Sequence, residues 1–477
     1  MPQPARVVVL GVDAANPELI ERWAADGSLP RLGALMGRGL FGRTRSVDGF
    51  YVGSTWPSFY TGMTPARHGL HYLRQLRPGS YDFYRPAERG LVRCDPVWRH
   101  LSRAGRRVAV LDVPLSTLEV ELNGIQTVEW GGHDRVYGFR AFPDDLGAAI
   151  GSRYGQYPLA GACDGIDRSE GGYRRFIDSL ESAVALKAKL TSDLLGRGGW
   201  DFFIQVFTES HCAGHQCWHL HDPAHPAHDR DLAARVGDPL RRVYRAIDTA
   251  IGDLLDAAGD GAVIIVVSAH GMAHWFGAQF LLPEVLFGLG LAARPAGVVP
   301  GEEMTGPGIA ARWLWRRLPA GVRRRLAPLR ARLGGGDRPG LPAIGVDPAA
   351  SRCFVHPNGL AVGGIRLNQL GREPRGVVAP GLAARELAEE ITRELLALID
   401  ERTDRPAVRR VLRTAELCTG PHLDELPDLL VEWSDEIPTG SALLAGGAGA
   451  AVRLRSERLG GLEGVNRYGR TGEHRPG

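Results

Sequence analysis

Asp201-Phe202-Phe203-Ile204-Gln205-Val206-Phe207 runs without a break into Thr208-Glu209-Ser210-His211-Cys212-Ala213-Gly214-His215. The first part is a short apolar run rich in aromatic and β-branched residues, which reads as a buried strand. The second part opens a cluster in which six of the 15 histidines lie between His211 and His228. A buried strand that delivers polar, chemistry-bearing residues at its end is the pattern of a parallel sheet, where ligands gather outside the carboxyl ends of the strands.

The same pattern recurs on either side of this stretch. Arg6-Val7-Val8-Val9-Leu10-Gly11-Val12-Asp13 reads as a buried strand ending in a carboxylate. Val108 to Val113, closed by Pro114, and Ala262 to Val267 read likewise. Helical patterns lie between them, roughly Pro17 to Gly37 and Pro239 to Ala257. Strands alternating with helices predict an α/β fold with a mainly parallel central sheet and helices on both faces. Asp13, Glu209 to His215 and His270 all fall at strand ends of this kind.

Residues 1–282 are expected to form the first part of the core, and residues 349–477 its completion. Between them, residues 283–348 read as an inserted Arg-rich helical cap. Within it Ala311 to Leu333 carries eight arginines among Trp and Leu. A basic amphipathic helix touching a membrane or an acidic partner would have this look. So would a surface helix in a chain that avoids lysine: of 57 basic residues only Lys187 and Lys189 are lysine. The second reading is preferred.

Composition narrows the function classes. A net charge of +3 over 477 residues argues against a nucleic acid polymer as partner. The longest clean apolar run, Ala262 to Val267, is far short of the ~20 residues of a membrane-spanning helix. The chain start leads directly into a strand without a secretory-type apolar region. Six cysteines scattered through a large chain fit reduced thiols, so a cytoplasmic location is expected. Cys212 and Cys217 have the wrong spacing for a zinc knuckle and read as buried thiols beside the site.

His211 and His215 are four residues apart and share one side of a helical turn, so they can hold one metal ion. Surface or capping histidines are the alternative, but the density of the cluster after a buried strand favours metal. Ser268-Ala269-His270-Gly271 places a histidine at another strand end. Ser54 and Thr55, in Gly53-Ser54-Thr55-Trp56-Pro57, read either as an ordinary helix N-cap or as a nucleophile.

Taken in order, these segments resemble the alkaline phosphatase superfamily, in particular its type I phosphodiesterase/nucleotide pyrophosphatase branch. Asp13 resembles its first metal ligand, and Thr61-Gly62-Met63-Thr64-Pro65 the segment after its nucleophile. His211 and His215 stand in place of an Asp-x-x-x-His metal motif. Ser268-Ala269-His270-Gly271 resembles a Ser-Asp-His-Gly ligand pair, and Gly472-Glu473-His474 the last histidine ligand. The resemblance implies two divalent ions, usually zinc, about 4 Å apart. His211, His215 and His474 would hold one, and Asp13, His270 and the nucleophile Thr55 or Ser54 the other. It implies a hydrolase acting on a small phosphorylated or sulfated molecule.

The sequence departs from the family pattern at two ligand positions. His211 replaces an aspartate, and Ala269 replaces a carboxylate. One expectation is that both ions bind, with Glu209 supplying the missing carboxylate. The alternative is a single three-histidine zinc site with Glu209 or His270 as base, acting on a phosphomonoester, phosphonate or sulfate ester. A non-catalytic relative that binds a metal or ligand is the third reading.

Overall fold

The structure, a computed structural model, describes residues 6–133, 135–159, 166–295 and 344–476. Its central sheet has six strands: β1 (Arg6–Val12), β2 (Val108–Leu111), β3 (Gly124–Val128), β4 (Arg140–Phe142), β5 (Phe202–Phe207) and β6 (Ala262–Val267). Their order across the sheet is β4-β3-β2-β5-β1-β6. All neighbours are parallel except the β3–β4 edge pair. The expected fold class is therefore the observed one.

Alternation along the strands divides two apolar layers. Val8, Leu10 and Val12 face a core built with the helices Pro17–Ala25, Glu170–Leu195, Glu209–His221 and Pro239–Ala258. Val9, Val110, Ile204 and Val206 face the other way, onto Trp56, Tyr60 and Trp98. Such period-two burial on both faces needs helices above and below the sheet.

The helical stretch expected over Pro17 to Gly37 is two helices, Pro17–Ala25 and Pro30–Arg38. Gly27 takes a positive φ of 80° between them, and Pro30 opens the second. Proline lacks an N–H and fits the first turn of a helix, not its interior.

Past residue 344 a second antiparallel sheet, Cys353–His356, Val362–Leu367, Leu429–Trp433 and Val408–Arg413, packs with helix Leu382–Leu396 over its own core. The Arg-rich stretch from Ala311 to Leu333 lies outside the described residues.

The chain end is not a loose tail. Gly472–Arg475 is a strand pairing antiparallel with Gly271–His274, His474 opposite Met272. A Cβ on Gly472 would meet the Gly214 carbonyl oxygen at 2.3 Å, and one on Gly214 would meet Met272 Cγ at 2.6 Å. Only glycine allows helix Glu209–His221 to lie this close to the two strands. The result is that residues 13, 211, 215, 270 and 474 converge at the carboxyl end of the parallel sheet.

Candidate metal centre

Helix Glu209–His221 begins where β5 stops, so its first turns sit over the sheet's carboxyl edge. His211 and His215 share one face of it, with ring centroids 4.5 Å apart. His474 reaches both: its ring lies 4.9 Å from His211 and 4.7 Å from His215. His270, brought by the turn after β6, lies 4.6 Å from His474.

Three of the sequence-expected residues form a group tight enough for one ion. One ligand atom each of His211, His270 and His474 lies within 4.8 Å of the others. His211 Nε2 and His474 Nε2 face each other at 2.8 Å. His211 Nδ1, His270 Nε2 and His474 Nδ1 are buried without a hydrogen-bond partner. Orphaned buried nitrogens are rare unless something else satisfies them. Burial, the largest cause, and the neighbouring imidazoles hold His211 and His474 well below the usual histidine range. Burial and Arg470 do the same for His215. Neutral imidazoles with lone pairs turned inward are the donor set a divalent ion needs, so the residues fit the metal.

His215 is oriented as ligating histidines generally are. Its Nδ1–H donates to the Gly472 carbonyl at 2.7 Å, which leaves Nε2 as the lone-pair nitrogen. Arg470 donates to that Nε2 at 3.3 Å.

Asp13, at the end of β1, is 4% exposed and accepts from Trp56 Nε1 at 2.7 Å. Its Oδ1 stands 3.9 Å from His270 Nδ1. Thr55 is the first residue of helix Thr55–Thr61, and its hydroxyl is 3.4 Å from the same Nδ1. Ser54 is not brought to the cluster: its hydroxyl donates to the Phe50 carbonyl at 2.6 Å. Neither hydroxyl makes the expected side-chain N-cap, since this helix has no side-chain capping bond.

Glu209 is not brought there either. It is fully buried, and its Oε1 accepts from Lys187 Nζ at 2.9 Å and from the Tyr157 hydroxyl. The carboxylate expected to stand in for Ala269 is thus engaged by a buried lysine. A different carboxylate is close. Glu473 Oε1 lies 3.4 Å from His474 Nδ1, and Glu473 groups with His215 and His474 within the same 4.8 Å limit.

The cluster opens into a cleft of about 440 Å³ lined by Asp13, His133, His211, His270 and His474 at its floor. Trp56, Tyr72, Phe83 and Tyr84 supply aromatic walls, and Arg74, Arg85 and Arg470 supply positive charge. Arg67, His68, Arg366 and Arg372 do not line it. Arg366 and Arg372 are bound to Glu373 and Asp428, and His68 is wholly buried against Ser58. His133, Glu473 and Arg470 were missed by sequence reasoning. Glu473 and Arg470 flank His474 and could have been taken with it; His133 carried no signal of its own.

Among the described residues no helix is long and apolar enough to cross a membrane. No curated protein sequence matches the chain. Among solved structures, it is similar to phosphonoacetate hydrolase from Sinorhizobium meliloti 1021 in complex with phosphonoformate. The identity is 14%, with a TM-score of 0.50, covering 98% of this chain and 88% of that one. Murine ectonucleotide pyrophosphatase/phosphodiesterase 5 is 11% identical with a TM-score of 0.43, covering 98% of this chain and 87% of its own. Residues 7–282 match the type I phosphodiesterase/nucleotide pyrophosphatase family. With that match spanning more than half of its length, the chain belongs to the type I phosphodiesterase/nucleotide pyrophosphatase family and is a phosphoric ester hydrolase.

Proposed function

We propose that the chain hydrolyses a small phosphorylated molecule with Thr55 as the nucleophile, that His211, His215 and His474 hold one divalent ion, and that Asp13 and His270 hold a second. The observation that carries this reading is the position of Thr55 Oγ1, 3.4 Å from His270 Nδ1 and at the start of a helix. Helix N-termini favour the phosphate that would form there. The Thr55 Oγ1–P bond forms as the bond from phosphorus to the leaving oxygen breaks, the hydroxyl proton passing to solvent and the leaving oxygen taking one up. Water then attacks phosphorus, the Oγ1–P bond breaks, and the phosphoryl product leaves with the Thr55 hydroxyl restored.

A divalent ion supplies Lewis-acid charge that eases loss of the hydroxyl proton and offsets charge on the phosphoryl oxygens. The residues do the rest. Trp56 Nε1 pins the Asp13 carboxylate, the Gly472 carbonyl fixes the His215 ring, and Arg470, Arg74 and Arg85 face an anionic substrate. The aromatic walls suit an organic group on the ester. Zinc is the preferred ion for an imidazole-rich site, although Glu473 would also suit harder cations. A cytoplasmic location fits the absence of any disulfide among the described cysteines.

One observation favours a second reading. Ala269 offers no ligand atom where the family carries a carboxylate, so a single ion on His211, His215 and His474 with attacking water would also serve. Metal analysis together with phospho-enzyme trapping separates the two. Covalent phosphate on Thr55 and loss of one bound equivalent in Asp13→Asn support the first reading. One equivalent, retained in Asp13→Asn, with no phosphothreonine, replaces it with the second. Aryl phosphodiesters, aryl phosphomonoesters, phosphonoacetate and aryl sulfates form the substrate panel. No turnover of any of them by metal-loaded protein would favour a non-catalytic relative.

A further inference from the structure

His133 stands on a loop built to hold it. The loop follows β3, and the buried Asp112 carboxylate accepts the backbone N–H groups of Trp130 at 3.0 Å and Gly131 at 2.8 Å. Thr208, at the head of the histidine helix, donates its hydroxyl to the Gly131 carbonyl at 3.2 Å. Two independent anchors thus fix His133 against that helix. Its ring centroid lies 3.9 Å from that of His211, closer than His215, His270 or His474 comes. Its Nδ1 is 3.3 Å from the sulfur of Cys212, which is 3% exposed.

We propose that His133 and Cys212, together with His211, hold a metal ion in a thiolate-containing seat beside the histidine cluster. One ligand atom from each of the three lies within 4.8 Å of the other two. His211 Nδ1 is buried and has no hydrogen-bond partner, while Nε2 of the same ring is turned to His474. The seat opens to the cleft through His133, which is only half-buried and lines it.

Charge gives the seat its chemical sense. An imidazole at 211 and a methyl group at 269 leave the centre short of anionic ligands. A cysteine restores one negative charge: the sulfur–metal bond forms as the thiol proton leaves to solvent. An N,N,S donor set selects a borderline-soft ion, Zn2+ or Co2+, over Mg2+ or Ca2+. The seat takes the lone pair of His211 on Nδ1, whereas the reading above takes it on Nε2, so the neutral ring serves one ion at a time and bridges two only when its remaining N–H proton also leaves to solvent. It does not depend on Thr55.

Cobalt reports on it directly. The full-length protein, stripped with a chelator and loaded with Co2+ under reducing conditions, is expected to show sulfur-to-cobalt charge-transfer absorption in the near ultraviolet. Cys212→Ser abolishes the band. His133→Ala, at a half-buried position where folding is safe, weakens Co2+ binding ~10-fold or more in competition with a chromophoric chelator. Thr55→Ala leaves the sulfur band unchanged. A wild-type protein whose bound cobalt shows no sulfur band, or a His133→Ala protein that binds Co2+ as tightly as wild type, overturns the seat. If the band is present while Thr55→Ala keeps full activity, the nucleophile assignment fails and the seat stands.

Discussion

His211 Nε2 and His474 Nε2 lie 2.8 Å apart although 263 residues of chain separate them. Both rings are driven toward the neutral state, first by burial and then by the other imidazoles around them. Two neutral imidazoles can face nitrogen to nitrogen only if one spends its proton on the other or an ion draws both lone pairs. Loss of a partner one shell further out typically costs metal affinity ~10–100-fold, so loss of a direct ligand costs more. His211→Ala and His474→Ala are each expected to lower zinc content after dialysis and to reduce turnover by more than ~100-fold. Elemental analysis beside a rate assay checks it; a His211→Ala protein with full metal and full activity removes the assignment.

Adjacent residues at the start of helix Thr55–Thr61 are expected to part company. Ser54 spends its hydroxyl on Phe50, so Ser54→Ala costs about 1 kcal/mol of stability and leaves kcat nearly intact. Thr55→Ala removes the attacking oxygen and is expected to lower kcat on the order of 10³-fold or more. Thr55→Ser keeps that oxygen and most of the rate. Steady-state kinetics with urea denaturation distinguish the pair; equal losses in both variants would mean that the helix start, not one hydroxyl, matters.

What the sequence made legible follows from where the physics is local. β1, β5 and β6 show as apolar runs, and the i, i+4 spacing of His211 and His215 fixes their shared face. β3 escaped because Gln126 and Thr127 read as polar, yet both are fully buried; Gln126 closes its amide on Glu119 and Thr117. The 26-residue helix Glu170–Leu195 escaped because Gly171 and Gly172 blur its start and a lysine interrupts its buried face. His474 at the chain end looks like a tail until its strand pairs with Gly271–His274. His133 meets Cys212 across 79 residues, a contact that no local pattern announces.

That interrupting lysine carries a stability prediction. Lys187 is 1% exposed and sits 2.9 Å from Glu209, with the Tyr157 hydroxyl on the same carboxylate oxygen. Breaking a buried pair strands one charge and typically costs 3–5 kcal/mol, whereas replacing both partners with apolar groups can be neutral. Lys187→Met is therefore expected to lose roughly 3 kcal/mol or more. Lys187→Met combined with Glu209→Leu should recover much of that. Because Glu209 opens the helix that carries His211 and His215, the single variant should also loosen metal binding. Chemical denaturation of both variants with zinc titration reads the two effects; additive losses in the double variant would show that the pair is not coupled.

Buried histidines away from the metal give the protein an acid limit. Burial is the largest cause for each, holding His68, His71 and His225 at about 4 and His219 at about 3, against 6.5 for an exposed ring. Below pH 6.5 the unfolded chain takes up protons that the folded chain refuses, so the unfolded state binds more and stability falls with pH. The loss begins near pH 6.5 and continues until the folded rings themselves protonate, near pH 4 to 3. Metal-free protein isolates this contribution from release of the ion. Its urea midpoint is expected to drop steadily from pH 6.5 to 4, and His71→Gln should flatten part of that slope. A midpoint that stays level over this range would mean that these rings are solvated in solution rather than sealed in the core.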